Sequence, residues 1–383
     1  MTEAPAARLD PDRMRRARAY RVFGRTLSLA SSALGIAAML VLHFAGAGIV
    51  LRTSLDPALS DELLRDPLRL FLLIATFMTV GWVVQLPLAY LAHVRGVREG
   101  LATQSLAGAI VDQLKSHAIT LAVLGMPLTA WYLVLGRADW WLLTIAGVAI
   151  LAGLGIALGP VIAALFYKFE ALADPEVSAR VRTVAERAGV RVEGVQRWGL
   201  GAKTTAANAA VMGLGPTKRI VLGDTLLAKF PLPEVESVVA HEVGHQVAAD
   251  SVRLTVVSAL VGSATLIALR LITDALTDGR IVAGGAIDGA ADPASYPLLA
   301  ALFGIATLLV RPFVMTYIRS RETAADAFGA RHTSAPLMAS ALVRLADQNL
   351  ADPEPPRWEE VLFYSHPAIA TRVRALGMPW PPP

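Results

Sequence analysis

Val238-Val239-Ala240-His241-Glu242-Val243-Gly244-His245 reads as part of one helix. Leu232-Pro233-Glu234 opens it: Pro233 suits the first turn, and Glu234 and Glu236 complement the positive helix end. Histidines four apart lie on the same helical face, one turn apart. Each can offer one ring nitrogen to a single zinc ion at ~2.0–2.1 Å. Glu242, next to the first histidine, is placed to take a proton from a metal-activated water and pass it to a leaving amine. The alternative is a chance match to a five-residue pattern, and the independently expected helix weighs against it.

A catalytic zinc site takes a third protein ligand and leaves a fourth position to water. Downstream, two apolar blocks at about 254–276 and 296–318 carry the chain away and back to the same membrane face. Immediately after them stands Arg319-Ser-Arg-Glu322-Thr-Ala-Ala-Asp326. Glu322 and Asp326 are four apart on one helical face. Glu322 is the candidate third ligand. Asp326 is the candidate acceptor for the other ring N–H of a ligand histidine, which fixes its tautomer. The alternative is an interfacial helix whose acids pair with Arg319 and Arg321.

Four more apolar blocks precede these, at about 27–51, 70–91, 118–135 and 140–167. Each is near the ~20 residues needed to cross a ~30 Å hydrocarbon core. The chain has 383 residues, 55% hydrophobic and 17% charged. Soluble domains carry about 25% charged residues, so neither a disordered chain nor an ordinary soluble globule fits. The first block exceeds the ~7–15 apolar residues of a signal peptide and follows a basic tail. There is no cysteine, hence no disulfide, thiolate metal site or catalytic thiol. A net charge of +4 gives no reason to expect a nucleic-acid partner.

Charge distribution sets an expected topology. Arg8, Arg13, Arg15, Arg16, Arg18, Arg21 and Arg25 precede the first block. The next loop is mixed: Arg52, Arg65 and Arg69 with Asp56, Asp61, Glu62 and Asp66. Arg95, Arg98 and Lys115 follow the second block, and Asp278, Asp288 and Asp292 outnumber Arg280 after the fifth. Six spans with both termini in the cytoplasm satisfy this alternation, in the plasma (inner) membrane. No internal repeat suggests a transporter of two inverted halves.

The expected division is a basic cytoplasmic tail at 1–26, four spans with loops at 27–167, a cytoplasmic insert at 168–253, a transmembrane hairpin at 254–318 and a C-terminal cytoplasmic part at 319–383. Within the insert, a helix at 175–188 is capped by Asp174 and ended by Gly189. Strand candidates lie at 190–198, 208–212 and 219–222, the last two joined through Gly213-Leu-Gly-Pro. His43 reads as a packed, hydrogen-bonded residue of the first span. Arg270 and Asp274 are spaced to pair. Arg311 inside the sixth span either lines a wet interior or meets a buried polar partner. Trp131, Trp140 and Trp141 fit interface anchors. His93, His117 and His332 receive no role.

Several stretches together resemble the integral-membrane zinc metalloproteases of the CAAX prenyl protease type 1 family, with its HtpX-like bacterial relatives. They are Glu99-Gly-Leu-Ala-Thr-Gln-Ser-Leu, Asn208-Ala209, Lys218-Arg-Ile-Val-Leu-Gly-Asp224-Thr-Leu-Leu, the HEVGH helix, 319–326, and Tyr364-Ser-His366-Pro367 with Arg372 six after the histidine. Coverage runs from about residue 95 to the C-terminus. The resemblance implies a mainly α polytopic membrane protein of about six transmembrane helices. It would carry a gluzincin-type zinc protease domain with a small β-sheet, and a chamber between the spans. It implies one zinc ion on His241, His245 and Glu322, with Glu242 as the base. His366 would donate to the oxyanion; the alternative is a helix-start histidine after an N-cap at Ser365. Arg372 would orient Asp326 or another acid. Asn208 and Ala209 would lie on an edge strand that pairs with the substrate backbone. The chain departs from the pattern at Ala210, where an aromatic is usual, and at Ala368, where a second proline is usual. It also has one span fewer than the eukaryotic enzymes.

The expected function is a zinc endopeptidase acting on peptides or membrane proteins at the cytoplasmic face of the lipid bilayer, in quality control or peptide processing. Prenylated CAAX peptides are the alternative substrates. A non-catalytic scaffold or transporter with a relict metal site is the alternative from another class.

Overall fold

The computed structural model describes residues 10–55, 65–278 and 286–381. Arg8, Asp56, Asp61, Glu62 and Arg280 of the charge pattern lie outside them. The N-terminal half is helical: α1 (Pro11–Phe44), α2 (Ala47–Leu55), α3 (Arg65–Arg98), α4 (Leu106–Thr120), a wide turn (Leu121–Gly125), α5 (Met126–Leu135) and α6 (Trp140–Phe166). After a mixed α/β insert come α10 (Asp250–Asp278) and α11 (Tyr296–His332). Among the described residues six helical rods are long and apolar enough to cross a membrane, α4 and α5 forming one of them. Val41, Ile150, Leu260, Leu309 and Phe313 all project from them exposed. Such a surface suits lipid rather than water.

The rods extend beyond their apolar blocks. Asp10 caps α1 by accepting the Asp12 N–H at 3.0 Å, so the arginines at 13–25 form its first turns. The last rod, α11, continues 37 residues to His332, so Glu322 and Asp326 stand on the same rigid element as the sixth span.

The insert contains β1 (Phe169–Ala171), α7 (Pro175–Arg187), β2 (Gly194–Trp198), β3 (Ala209–Met212), β4 (Arg219–Gly223), α8 (Asp224–Lys229) and α9 (Leu232–Val247). The sheet order is β1-β2-β4-β3, with β2 and β4 parallel and both outer pairs antiparallel. The second strand starts at Gly194 rather than at the expected 190. Val190 belongs to the end of α7: its N–H reaches Ala185 O at 2.9 Å and the Gly189 N–H reaches Glu186 O at 2.9 Å, with Gly189 at φ 73°. That is a Schellman closure. One sheet face buries Val195, Ile220 and Leu222 against Val181 and Ala185 of α7 and Val235, Val239 and Val243 of α9.

The C-terminal part adds α12 (Ala335–Gln348), α13 (Arg357–Phe363) and α14 (Ile369–Ala375). Glu234 stands in the first turn of α9 as expected, and it is fully buried. It accepts hydrogen bonds from Ser340 at 2.7 Å and Arg344 at 2.6 Å, tying α9 to α12. Glu236 instead pairs with Arg180 at 2.6 Å. His43 is buried as expected, but neither ring nitrogen has a hydrogen-bond partner among the described residues; the ring meets Phe44 edge-on. Arg311 has a partner: it donates to Phe363 O at 3.1 Å. Arg270 and Asp274 pair at 2.9 Å.

Helices α9 and α11 approach backbone to backbone. A Cβ on Gly329 would stand 3.0 Å from Met338 Sδ and 3.3 Å from the His241 nitrogen. Gly329→Val is therefore expected to destabilise by roughly 1–3 kcal/mol through overpacking. Thermal unfolding in detergent checks this, with Gly147→Ala, whose Cβ would meet nothing within 4 Å, as control.

Candidate metal centre

His241 and His245 project from consecutive turns of α9 toward Glu322 on α11. Their Nε2 atoms lie 3.2 Å apart. Glu322 Oε2 is 3.5 Å from His241 Nε2, and Oε1 is 3.4 Å from His245 Nε2. One ligand atom from each residue falls within 4.8 Å of the others.

Each ring is held from behind. His241 Nδ1 lies 3.0 Å from Asp326 Oδ1, bent off the straight hydrogen-bond line. His245 Nδ1 lies 2.9 Å from Asp250 Oδ2. A carboxylate only accepts, so Nδ1 carries the proton of each neutral ring, whose Nε2 then turns a lone pair inward. Each acid is itself held by an arginine. Arg372 grips Asp326 with two bonds of 2.7 and 2.6 Å, and Arg321 donates to Asp250 at 2.6 Å.

Two lone pairs and a carboxylate converging in a buried place repel one another unless a cation sits among them. Glu322 Oε2 is buried and has no hydrogen-bond partner among the described residues. Two histidines and a glutamate form a three-ligand set of the open, catalytic zinc type. The residues present therefore fit zinc. Burial pulls the His241 pKa down, but the adjoining carboxylates of Asp326 and Glu322 outweigh this and lift it to about 9, so zinc binding at Nε2 would compete with a proton there. Burial raises the Glu242 carboxyl above its ordinary range, against the opposing pull of both histidines. For a general base, that shift is toward neutral pH.

The interfacial-helix reading of 319–326 does not hold. Glu322 and Asp326 are only 6% and 3% exposed. Arg321 serves Asp250, and Arg319 turns to the carbonyls of Glu360 and Tyr364 at 2.9 and 2.8 Å. Asp250 and Arg321 are the site residues that sequence reasoning missed. The available signal was an acid five residues after His245. What brings it back is Ala249, at φ 52° in the left-handed region, a turn the sequence does not announce.

His366 stands on the rim, exposed, with Nε2 3.3 Å from Glu322 Oε2 and Nδ1 2.9 Å from Ser365 Oγ. Ser365 does not cap a helix: α14 begins at Ile369, with Ala368 at its N-cap. Ala368 has φ −51° and ψ 139°, close to what proline imposes, so replacing the usual proline leaves the chain path intact. Asn208 is exposed just ahead of β3, an edge strand. Its carbonyl accepts from the Gly223 N–H at 2.9 Å, so by alternation the main-chain groups of Ala209 and Val211 face away from β4. The Ala209 N–H meets Asn208 Oδ1 at 2.9 Å, and Val211 O accepts from Gln246, next to His245, at 3.4 Å. The open edge thus runs beside the metal helix, with Ala210 between these two positions.

Residues 171–379 match the family model of peptidase family M48, and residues 1–168 match that of the CAAX prenyl protease N-terminal region, described as five membrane helices. The uncharacterized metalloprotease YhfN of Bacillus subtilis is 28% identical over 312 residues, covering 77% of this chain and 72% of that protein. CAAX prenyl protease 1 of Saccharomyces cerevisiae is 26% identical over 321 residues, 78% of this chain and 70% of that protein. Protease HtpX of Acinetobacter baylyi is 30% identical over 219 residues, 51% of this chain and 69% of that protein. The crystal structure of S. mikatae Ste24p superposes with a TM-score of 0.83 at 22% identity, covering 96% of this chain and 90% of that one.

Because Asp250 aims His245, Asp250→Ala is expected to weaken zinc binding about 10–100-fold. Competition with a chromogenic chelator on the purified protein measures this.

Proposed function

The chain belongs to peptidase family M48 and is a membrane metalloendopeptidase, and we propose that His241, His245 and Glu322 hold its one zinc ion while Glu242 is the base. The observation that carries this is the convergence of both imidazole Nε2 atoms on the buried Glu322 carboxylate, whose Oε2 is left without a hydrogen bond among the described residues.

Zinc, when bound, supplies a Lewis acid that polarises the scissile carbonyl and acidifies water. Glu242 accepts the water's proton and delivers it to the leaving nitrogen. His366 donates from the rim to the developing oxyanion. Asp326 and Asp250, held by Arg372 and Arg321, keep the two rings from rotating. The extended substrate adds to the edge of β3 at Asn208 and Ala209: the Ala209 main chain faces outward, and the Asn208 side chain that takes its N–H gives way to the substrate. Ala210 presents a small side chain there and admits bulkier neighbours than an aromatic would.

The site faces the cytoplasm from the inner membrane, and its substrates are peptides or membrane proteins removed in quality control or processing. The match of residues 1–168 to the CAAX prenyl protease N-terminal region favours prenylated peptides as the second reading.

Glu242→Gln is expected to keep its zinc and to lose about 10²–10⁴-fold in kcat/KM for peptide cleavage. Equal cleavage by both proteins would remove Glu242 from the mechanism. Paired peptides with and without a prenyl group separate the substrate readings: comparable kcat/KM supports general processing, and a strong prenyl preference supports the second reading. The chain lacks cysteine, so Ala228→Cys, at an exposed position of α8, is a unique probe of sidedness. A membrane-impermeant maleimide is expected to label it only after the cytoplasmic face is opened; labelling of intact cells would reverse the orientation.

A further inference from the structure

We propose that Arg319 is a positioning residue for His366, acting through α13. The proposal rests on the reading of His366 as an oxyanion donor. His366 is exposed, and the contacts of its ring are with Ser365 Oγ and Glu322. Its position must therefore come from the backbone on either side. On the downstream side, Arg372 locks α14 to Asp326. On the upstream side, Arg319 Nη1 donates to the carbonyls of Glu360, Val361 and Tyr364 at 2.9, 3.3 and 2.8 Å. The last of these lies two residues before His366. Arg311 takes the Phe363 carbonyl at 3.1 Å. The last carbonyls of α13, of which Glu360 O also accepts the Tyr364 N–H, are thus held by two guanidinium groups.

The opposite end of α13 is held as well. Glu359, in its first turn, is 2% exposed and meets Arg21 and Arg25 of α1. Arg21 also reaches Asp352 at 2.8 Å, in the segment leading into α13.

The pins belong to the metal-site helix itself. At 100° per residue, Arg311, Arg319, Glu322 and Asp326 fall within an arc of about 80° on α11. One stripe of one rigid helix thus carries the candidate ligand, the acid behind His241, and both arginines that hold the chain ahead of His366. A displacement of about 1 Å in such a donor can cost ~10²-fold in rate. A common ruler thus fixes the distance between the candidate ligand and the donor.

The test is a double-mutant cycle on the zinc-loaded enzyme, reading kcat and KM separately, with zinc per chain and melting temperature measured on each protein. His366→Ala is expected to lower kcat about 10²–10³-fold, as removal of an oxyanion donor does. Arg319→Ala is expected to lower kcat at least about tenfold, with KM and zinc content unchanged. In the His366→Ala background, Arg319→Ala is expected to cost nothing further. If the two losses multiply, or if Arg319→Ala releases zinc, Arg319 acts on the fold or the metal and the proposal falls. If His366→Ala is impaired while Arg319→Ala is not, the positioning role alone falls. If His366→Ala is fully active, the oxyanion reading falls and the proposal with it. Should Arg319→Ala not accumulate, Arg319→Lys carries the same test, since the ammonium keeps the charge but ends one bond short of Nη1 and loses the Nη2 bond to Thr316; a several-fold kcat loss that vanishes in the His366→Ala background is expected.

Discussion

Buried carboxylates between α9 and α11 set the terms for the rest of the molecule. Withdrawing an ionised group from water costs several kcal/mol unless partners replace the hydration. Glu322, Asp326 and Asp250 are each below 9% exposed, and each is met by imidazole or guanidinium. Those partners come from distant parts of the chain. Glu322 and Asp326 arrive on the sixth span, Asp250 from the start of the fifth, Arg372 from the C-terminal helix. To meet, α9 and α11 must come close enough that Gly244 rests on Phe328 and Gly329 on the backbone of His241. The helical hairpin between them is then a structural part of the site, because it alone returns the chain to α9 with the acids facing inward.

What the sequence made legible follows from the range of the interactions. His241, Glu242 and His245 depend only on helix periodicity, so their spacing suffices. Glu322 and Asp326 need one more step, the parity of two membrane crossings, and apolar block lengths supply it. His366, Arg372, Asn208 and Ala209 came only with the family resemblance, since nothing local distinguishes them. Asp250 escaped because its role hangs on the left-handed turn at Ala249, a conformation that alanine does not advertise. Glu234 stands in the first turn of α9 as its position predicts, but its burial was not legible. Near a helix start an acid ordinarily complements the dipole in water, and only α12, a hundred residues later, turns it into a buried tie. The strand expected from 190 starts only at Gly194 because Val190 satisfies the helix end before it.

The arginines ahead of the first apolar block carry a second meaning. Read by composition, they are an orientation signal. In the fold, Arg13 meets Asp347 at 2.8 Å, Arg16 meets Glu99 at 2.9 Å, and Arg21 meets Asp352 at 2.8 Å and Glu359. These acids follow the second span and the sixth. The pairs close only if the start of α1, the end of α3 and the chain after α11 share one side of the membrane. Two crossings separate the first two, and six separate the first from the last. An odd count would leave Arg21 and Glu359 on opposite sides of a ~30 Å hydrocarbon layer, and Glu359 is too deeply buried to stand without its cation. Relative topology therefore follows from ion pairing as well as from charge bias. A further helix ahead of α1 would move the N-terminus across the membrane and leave every one of these pairs, and the candidate metal site they frame, where it is.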